Sequence, residues 1–373
     1  MKSWLIITFI IVPPVTVVGA IDTVGRKLIF HERERGDTVR FFYDAHYYLV
    51  DRDCEFRSIE RVAPYDFQQQ AFVGEFADFD HNGRLILEGN YLEGKRHGDF
   101  NAYHPNGVLK WQATYIRGTL QGPLNFYYPD GKPLLEISFT DGGARIVNFW
   151  DRRGERRVTN GEGRYEFAVE AEGYNEFGYT RYIRKGKVVD GRPHGNWTIK
   201  YLFGDGKEKS AGYEYYNKGR FVQGYEAYTD EEFSDAPRYS LVPIDFSSRA
   251  EAMIAKTCTV DDYTGFTGFL AVYLSEWFEG ISGRPIEPTK IEFAVVVKAS
   301  GEPRGLKMKS SFDEKQYADL LLEALAGVDY WLPSYFDGGY IEDTLTVTME
   351  AFPEPDNQHL QFFDVKIKRE KGR

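Results

Sequence analysis

The sequence predicts a mainly β protein with an α+β domain near its C-terminal end. Three observations carry that expectation. Aromatic residues and glycine are abundant (28 Phe, 26 Tyr and 37 Gly in 373 residues), which favours strands and turns over helices. Glycines recur 24 residues apart over the first half of the chain. Beyond about residue 240, helix-period segments begin to alternate with strands. The length suffices for two or three domains. A net charge of −11 and a pI near 5.3 argue against nucleic acid or an anionic membrane surface as the main partner.

Residues 1–20, MKSWLIITFIIVPPVTVVGA, have a positive start at Lys2, a short apolar stretch broken by Pro13-Pro14, and small residues before Ile21. This reads as a signal peptide cleaved before Ile21, with an uncleaved anchor as the rival. Export implies an oxidising compartment, the periplasm or cell envelope. Cys54 and Cys258 are the only cysteines, and they fall in different expected domains. They are either a disulfide or two separate thiols. Residues 21–72 hold strand-like runs without a clear register and are expected to cap the array that follows.

The array occupies residues 73–154. GEFADFDHNG, GDFNAYHPNG and GPLNFYYPDG begin at Gly74, Gly98 and Gly122 and end at Gly83, Gly107 and Gly131. A third ladder runs Gly94, Gly118, Gly142. Between the glycines, apolar residues alternate: Leu85, Leu87, Gly89, Tyr91; then Leu109, Trp111, Ala113, Tyr115; then Pro133, Leu135, Ile137, Phe139. Period two means half-buried antiparallel strands. The N-G and D-G pairs mark hairpin turns that need positive φ, and slightly longer turns are expected on the other side. Stacked hairpins would align Tyr91, Tyr115 and Phe139 in one row and Leu87, Trp111 and Leu135 in another. Tyr91, Tyr103, Trp111, Tyr115 and Tyr127 are the candidate binding aromatics, should such a row be exposed.

Residues 78–83 also spell the start of an EF-hand loop, Asp-x-Asp-x-Asn-Gly. The bidentate Glu required at position twelve is absent, because position 89 is Gly. The next copy lacks both Asp residues, so the glycine belongs to a hairpin and no calcium is expected.

The phrase Y-x-x-G-x-x-x-G, an aromatic strand and an N/D-G turn resembles the MORN repeat, especially its bacterial variant. It is carried by Tyr91, Gly94, Gly98, Phe100, Tyr103, Asn106 and Gly107, and again by Tyr115, Gly118, Gly122, Leu124, Tyr127, Asp130 and Gly131. The resemblance implies a binding or assembly module and names no ligand. Residues 155–229 echo it in degenerate form, as in residues 191–206 and 216–224. Residues 230–246, acidic and then proline-punctuated, read as a linker.

Residues 247–352 form the second domain. Ser248 with Glu251, and Ser311 with Glu314, read as capping boxes opening helices. Leu270, Tyr273, Leu274 and Trp277 share a helical face. Strands are expected at 291–299, 304–311 and 344–352, with a helix at 313–328. The order, two helices and three strands, resembles the C-terminal domain of TonB-type energy transducers. The match rests on Phe293 to Val297, Gly301, residues 318–325, Trp331-Leu332-Pro333, Gly339 and residues 345–352. The chain departs from that family in lacking a Pro-rich spacer, so docking of an envelope protein, by strand addition at a sheet edge, fits better than force transmission. The basic tail, residues 353–373, reads as a solvated end.

His97 and His194 occupy related turns and read as solvated turn residues. No nucleophile elbow, zinc-binding helix motif or phosphate loop occurs in the sequence. The expectation is a non-enzymatic envelope scaffold that binds protein partners, without cofactor or metal. The alternatives are an energy transducer for transmembrane transport and a glycan-acting enzyme.

Overall fold

The structure is a computed structural model that describes residues 27–140, 143–171, 173–203, 206–243, 245–279, 288–336, 339–353 and 360–372. The expected signal segment 1–20 and Gly142 lie outside those residues. One long antiparallel sheet takes up the first two thirds. From Thr38–Tyr43 and Ile59–Asp66, through Gly74–Asp80 and Leu85–Leu92, to Arg220–Glu226 and Glu231–Phe233, successive strands pair in chain order. The segment expected to cap the array supplies the first strands of this same sheet.

The 24-residue sequence period is a period of the backbone. A β-bulge recurs at Asp78/Phe79, Ala102/Tyr103, Phe126/Tyr127 and Phe149/Trp150. Each bulge leads into the same turn. The amides of Gly83, Gly107, Gly131 and Gly154 donate to carbonyls three residues back, Asp80, His104, Tyr128 and Asp151, with φ between 73° and 85°. This is a type I turn closed by a left-handed residue, where glycine carries no Cβ penalty. The opposite connections are tighter than the expected longer turns. They have two residues, both at positive φ, at Glu93-Gly94 and Arg117-Gly118, and the degenerate region keeps the form at Asn160-Gly161, Asp190-Gly191 and Lys218-Gly219. Left-handed X-Gly pairs match the twist of the strands they join.

Leu87, Tyr91, Phe100, Ala113, Leu135 and Ile137 are buried, as the alternation requires. The aromatic row runs Phe76, Tyr91, Phe100, Tyr115, with ring centroids 5.1–5.9 Å apart. It does not extend to Phe139, which is 48% exposed.

The segment expected to be a linker is instead a strap over the sheet. Glu231–Phe233 is the last strand. The chain then returns along the array toward its start. Tyr239 packs with Tyr182 and Tyr201, Leu241 and Val242 with the middle cluster around Tyr165 and Trp197, and Phe246, Ala250 and Met253 with the first cluster around Phe41 and Tyr43. At its end Cys258 is disulfide-bonded to Cys54. No sequence period marks this segment because its residues answer to three separate parts of the sheet.

Helix Phe266–Trp277 and helix Lys315–Ala326 pack on a four-stranded sheet ordered Pro303–Ser310, Thr289–Val297, Asp343–Pro353, Leu360–Arg369. Phe293, Trp331, Leu270, Leu274 and Leu321 lie in its core. Neither expected capping box forms. Residues 246–252 are a 3-10 turn capped by Asp245, and Glu251 turns instead to Arg96. The later helix begins at Lys315, with no side-chain cap at Glu314. Trp277 is 40% exposed although it shares the expected helical face. The tail is not a solvated end: Leu360–Arg369 completes the sheet, and Arg369 pairs with buried Asp261.

Candidate binding groove

The residues singled out in the sequence do not assemble into one site. All the turn glycines within the described residues (Gly83, Gly94, Gly98, Gly107, Gly118, Gly122 and Gly131) have positive φ. The aromatics are mostly packing groups, which corrects the idea of an exposed row. Tyr91 is buried and its hydroxyl donates to Glu251 at 2.9 Å. Trp111 bridges two apolar clusters. Tyr115 lies under the Arg96 guanidinium, 5.4 Å from the ring centroid. Tyr103 donates to Glu88, and burial with that carboxylate pushes the phenol up to about 12. Tyr127 lines an open cavity. His97 and His194 are half-buried, not solvated, and the Lys218 amide donates to His194 Nδ1 at 3.3 Å.

Buried charges tie the sheet together and hold the strap against it. Arg61 holds Asp78 through two bonds of 2.7 and 2.8 Å, and Tyr47 donates to the same carboxylate at 2.9 Å. Burial works against the charge on Arg61, but Asp78 outweighs it and raises the guanidinium pKa. Asp78 is thus engaged by arginine, and Asp80 binds Arg84 and the turn amides, which accounts for the EF-hand-like spelling. Arg96 reaches Asp245 at 3.1 Å and Glu251 at 2.7 Å on the strap. Arg184 donates to Glu214 at 2.6 Å, to the Tyr216 hydroxyl at 2.8 Å and to the Tyr239 carbonyl at 2.9 Å. Each strap contact satisfies a group whose burial alone would cost several kcal/mol. Burial and then the Glu226 hydrogen bond outweigh the opposing Tyr201 contact and keep the strap hydroxyl of Tyr239 neutral, its pKa well raised.

The accessible charges gather elsewhere. Hairpin turns are stitched in sequence: His104 Nε2 meets the Tyr127 carbonyl at 2.9 Å, Asn106 donates to the Pro129 carbonyl at 2.8 Å, and Tyr128 donates to the Trp150 carbonyl at 2.9 Å. These turns form one wall of a groove of about 760 Å³, and strand Glu162–Glu170 forms the facing wall. Tyr127, Tyr128, Phe149, Tyr165 and Phe167 supply its apolar lining. Its charged lining is six cations against two carboxylates. Asp151 pairs with Arg157 at 2.8 Å, and Glu166 with Lys185 at 2.8 Å. Burial opposes ionisation of Asp151, but the Arg157 hydrogen bond and the amides of Glu155 and Arg153 outweigh it and lower its pKa. Arg152, Arg153, Arg164 and Arg181 have no carboxylate partner among the described residues. The signal for the groove was present in residues 151–157, DRRGERR, a cationic run in an acidic chain. Its turn-like spelling hides that role, and Arg164 and Arg181 join it only through the fold.

Among the described residues, no group of three or more His, Cys, Asp or Glu is placed to hold a metal ion, and no helix is long and apolar enough to cross a membrane. Compared with known proteins, the chain matches no protein-family model and no curated protein.

Proposed function

We propose that the protein is a non-enzymatic binding scaffold of the cell envelope, engaging protein partners through a MORN-like hairpin array and a TonB-like C-terminal module. One observation carries this reading: charge is sorted by accessibility. Buried ion pairs lock the sheet, and Arg96 and Arg184 bind the strap, whereas the open groove presents cations with no carboxylate partner among the described residues, and both of its carboxylates are held by neighbouring cations. A general acid needs a carboxyl group kept near neutrality, and that arrangement works against one here. The Cys54–Cys258 bond supports residence in an oxidising compartment such as the periplasm. The C-terminal sheet ends in an edge strand, Pro303–Ser310, whose outward residues include Arg304, Lys307 and Lys309. Such an edge can accept an added strand from a partner.

The test is crosslinking in intact cells with the full chain at native level, using photoreactive residues at exposed Val272 and Ile116. The expected result is a specific envelope protein joined at one or both positions, with the chain in the envelope fraction. No adduct above control at either position, or a chain confined to the cytoplasm, would overturn the proposal.

A further inference from the structure

We infer that the groove between the hairpin turns and strand Glu162–Glu170 takes an acidic peptide segment of a partner protein, held by Arg152, Arg153, Arg164 and Arg181. The inference rests on the binding-scaffold reading and specifies the ligand class at that site. A guanidinium presents a planar fork of donors that matches a carboxylate, and it is more weakly hydrated than an ammonium. Four such forks without a carboxylate partner among the described residues, lining one open groove, are an acceptor-shaped deficit. The two lining carboxylates show how acidic side chains fit this surface: Asp151 sits on Arg157 and Glu166 on Lys185. The lining of Tyr127, Tyr128 and Phe167 gives the methylene stems of Glu an apolar seat.

The charge of the whole molecule narrows the choice. A chain of net charge −11 repels a dense polyanion such as duplex nucleic acid or an anionic lipid surface at long range. A short segment of a few carboxylates instead feels mainly the local cations, since the field decays over about 8 Å at physiological salt. The turn-to-turn stitching through His104 and Tyr128 fixes one wall of the groove before any ligand arrives.

The test is fluorescence anisotropy of the full chain with a labelled octa-glutamate peptide and an octa-glutamine control. Octa-glutamate should bind at least tenfold more tightly than octa-glutamine, and weaken severalfold between 50 and 200 mM salt. Arg164→Glu with Arg181→Glu should lower that affinity at least tenfold. Both side chains are exposed, so circular dichroism and thermal unfolding should match the parent. Arg152→Gln with Arg153→Gln is the independent second variant and should weaken binding severalfold. Equal binding of the two peptides, unchanged binding by both variants, or tighter binding of a uronic-acid oligosaccharide than of octa-glutamate would overturn the inference. Crosslinking at Val272 that persists alongside such a failure would leave the scaffold reading standing.

Discussion

Glycine does two different jobs in this chain. At Gly107 it supplies a left-handed turn residue. At Gly186 the backbone is ordinary, and what matters is space: a Cβ there would come within 2.3 Å of the Trp197 ring. Gly89 under Phe100 and Gly224 under Phe233 repeat the arrangement, at 2.9 and 2.1 Å. At these three positions an aromatic ring lies across the strand glycine and covers it. Gly186→Ala should therefore lower stability by about 1–3 kcal/mol through overpacking, measured by urea unfolding. The buried Arg61–Asp78 pair gives a second prediction. Asp78→Ala leaves a fully buried guanidinium without its counter-charge and should cost about 3–5 kcal/mol. Replacing both partners, as Arg61→Met with Asp78→Leu, should restore most of that loss.

At the scale of one hairpin, the sequence was legible wherever a local rule sufficed. Strand faces followed from period two, and turn positions followed from N-G and D-G. The hairpin turn also predicts acid behaviour. Burial tends to raise the pKa of Asp80, but the Arg84 hydrogen bond and the amides of Arg84 and Asn82 prevail and lower it to about 2. Because the folded value lies below the ordinary carboxylate value of 3.8, the stabilisation is present above that pH and disappears as pH falls toward 2. Asp80→Asn should thus lower the melting temperature at pH 6 and flatten its decline between about pH 4 and 2. What the sequence did not reveal lies between elements. The spacing from Ser248 points Glu251 to a local cap, yet its partner, Arg96, is 155 residues away. Residues 353–373 looked like a loose basic end because the strand partner of Leu360–Arg369 is another segment, Asp343–Pro353, and Asp261 is farther still. Arg164 and Arg181 face the cationic turn only once the sheet has formed.

Taken whole, the array is closed by its own continuation. The strap crosses three apolar clusters, and the disulfide joins its end to the beginning of the sheet, across a sequence separation of 204 residues. Restricting so long a loop in the unfolded chain contributes roughly 5.3 kcal/mol in the chain-entropy account. Cys54→Ser with Cys258→Ser should therefore lower the melting temperature markedly, and a reductant should do the same to the parent chain. A clamped sheet of this kind presents a fixed surface, in contrast to the extensible spacer that an energy transducer would need. The most direct test of a scaffold built to hold a partner is photocrosslinking in intact cells from the groove itself, with the probe at Ala168, a lining residue, and a control probe at exposed Val222. The account predicts one saturable adduct with an envelope protein from the groove position and none from the control. Adducts of equal yield and identity from both positions, or none from either, would contradict it.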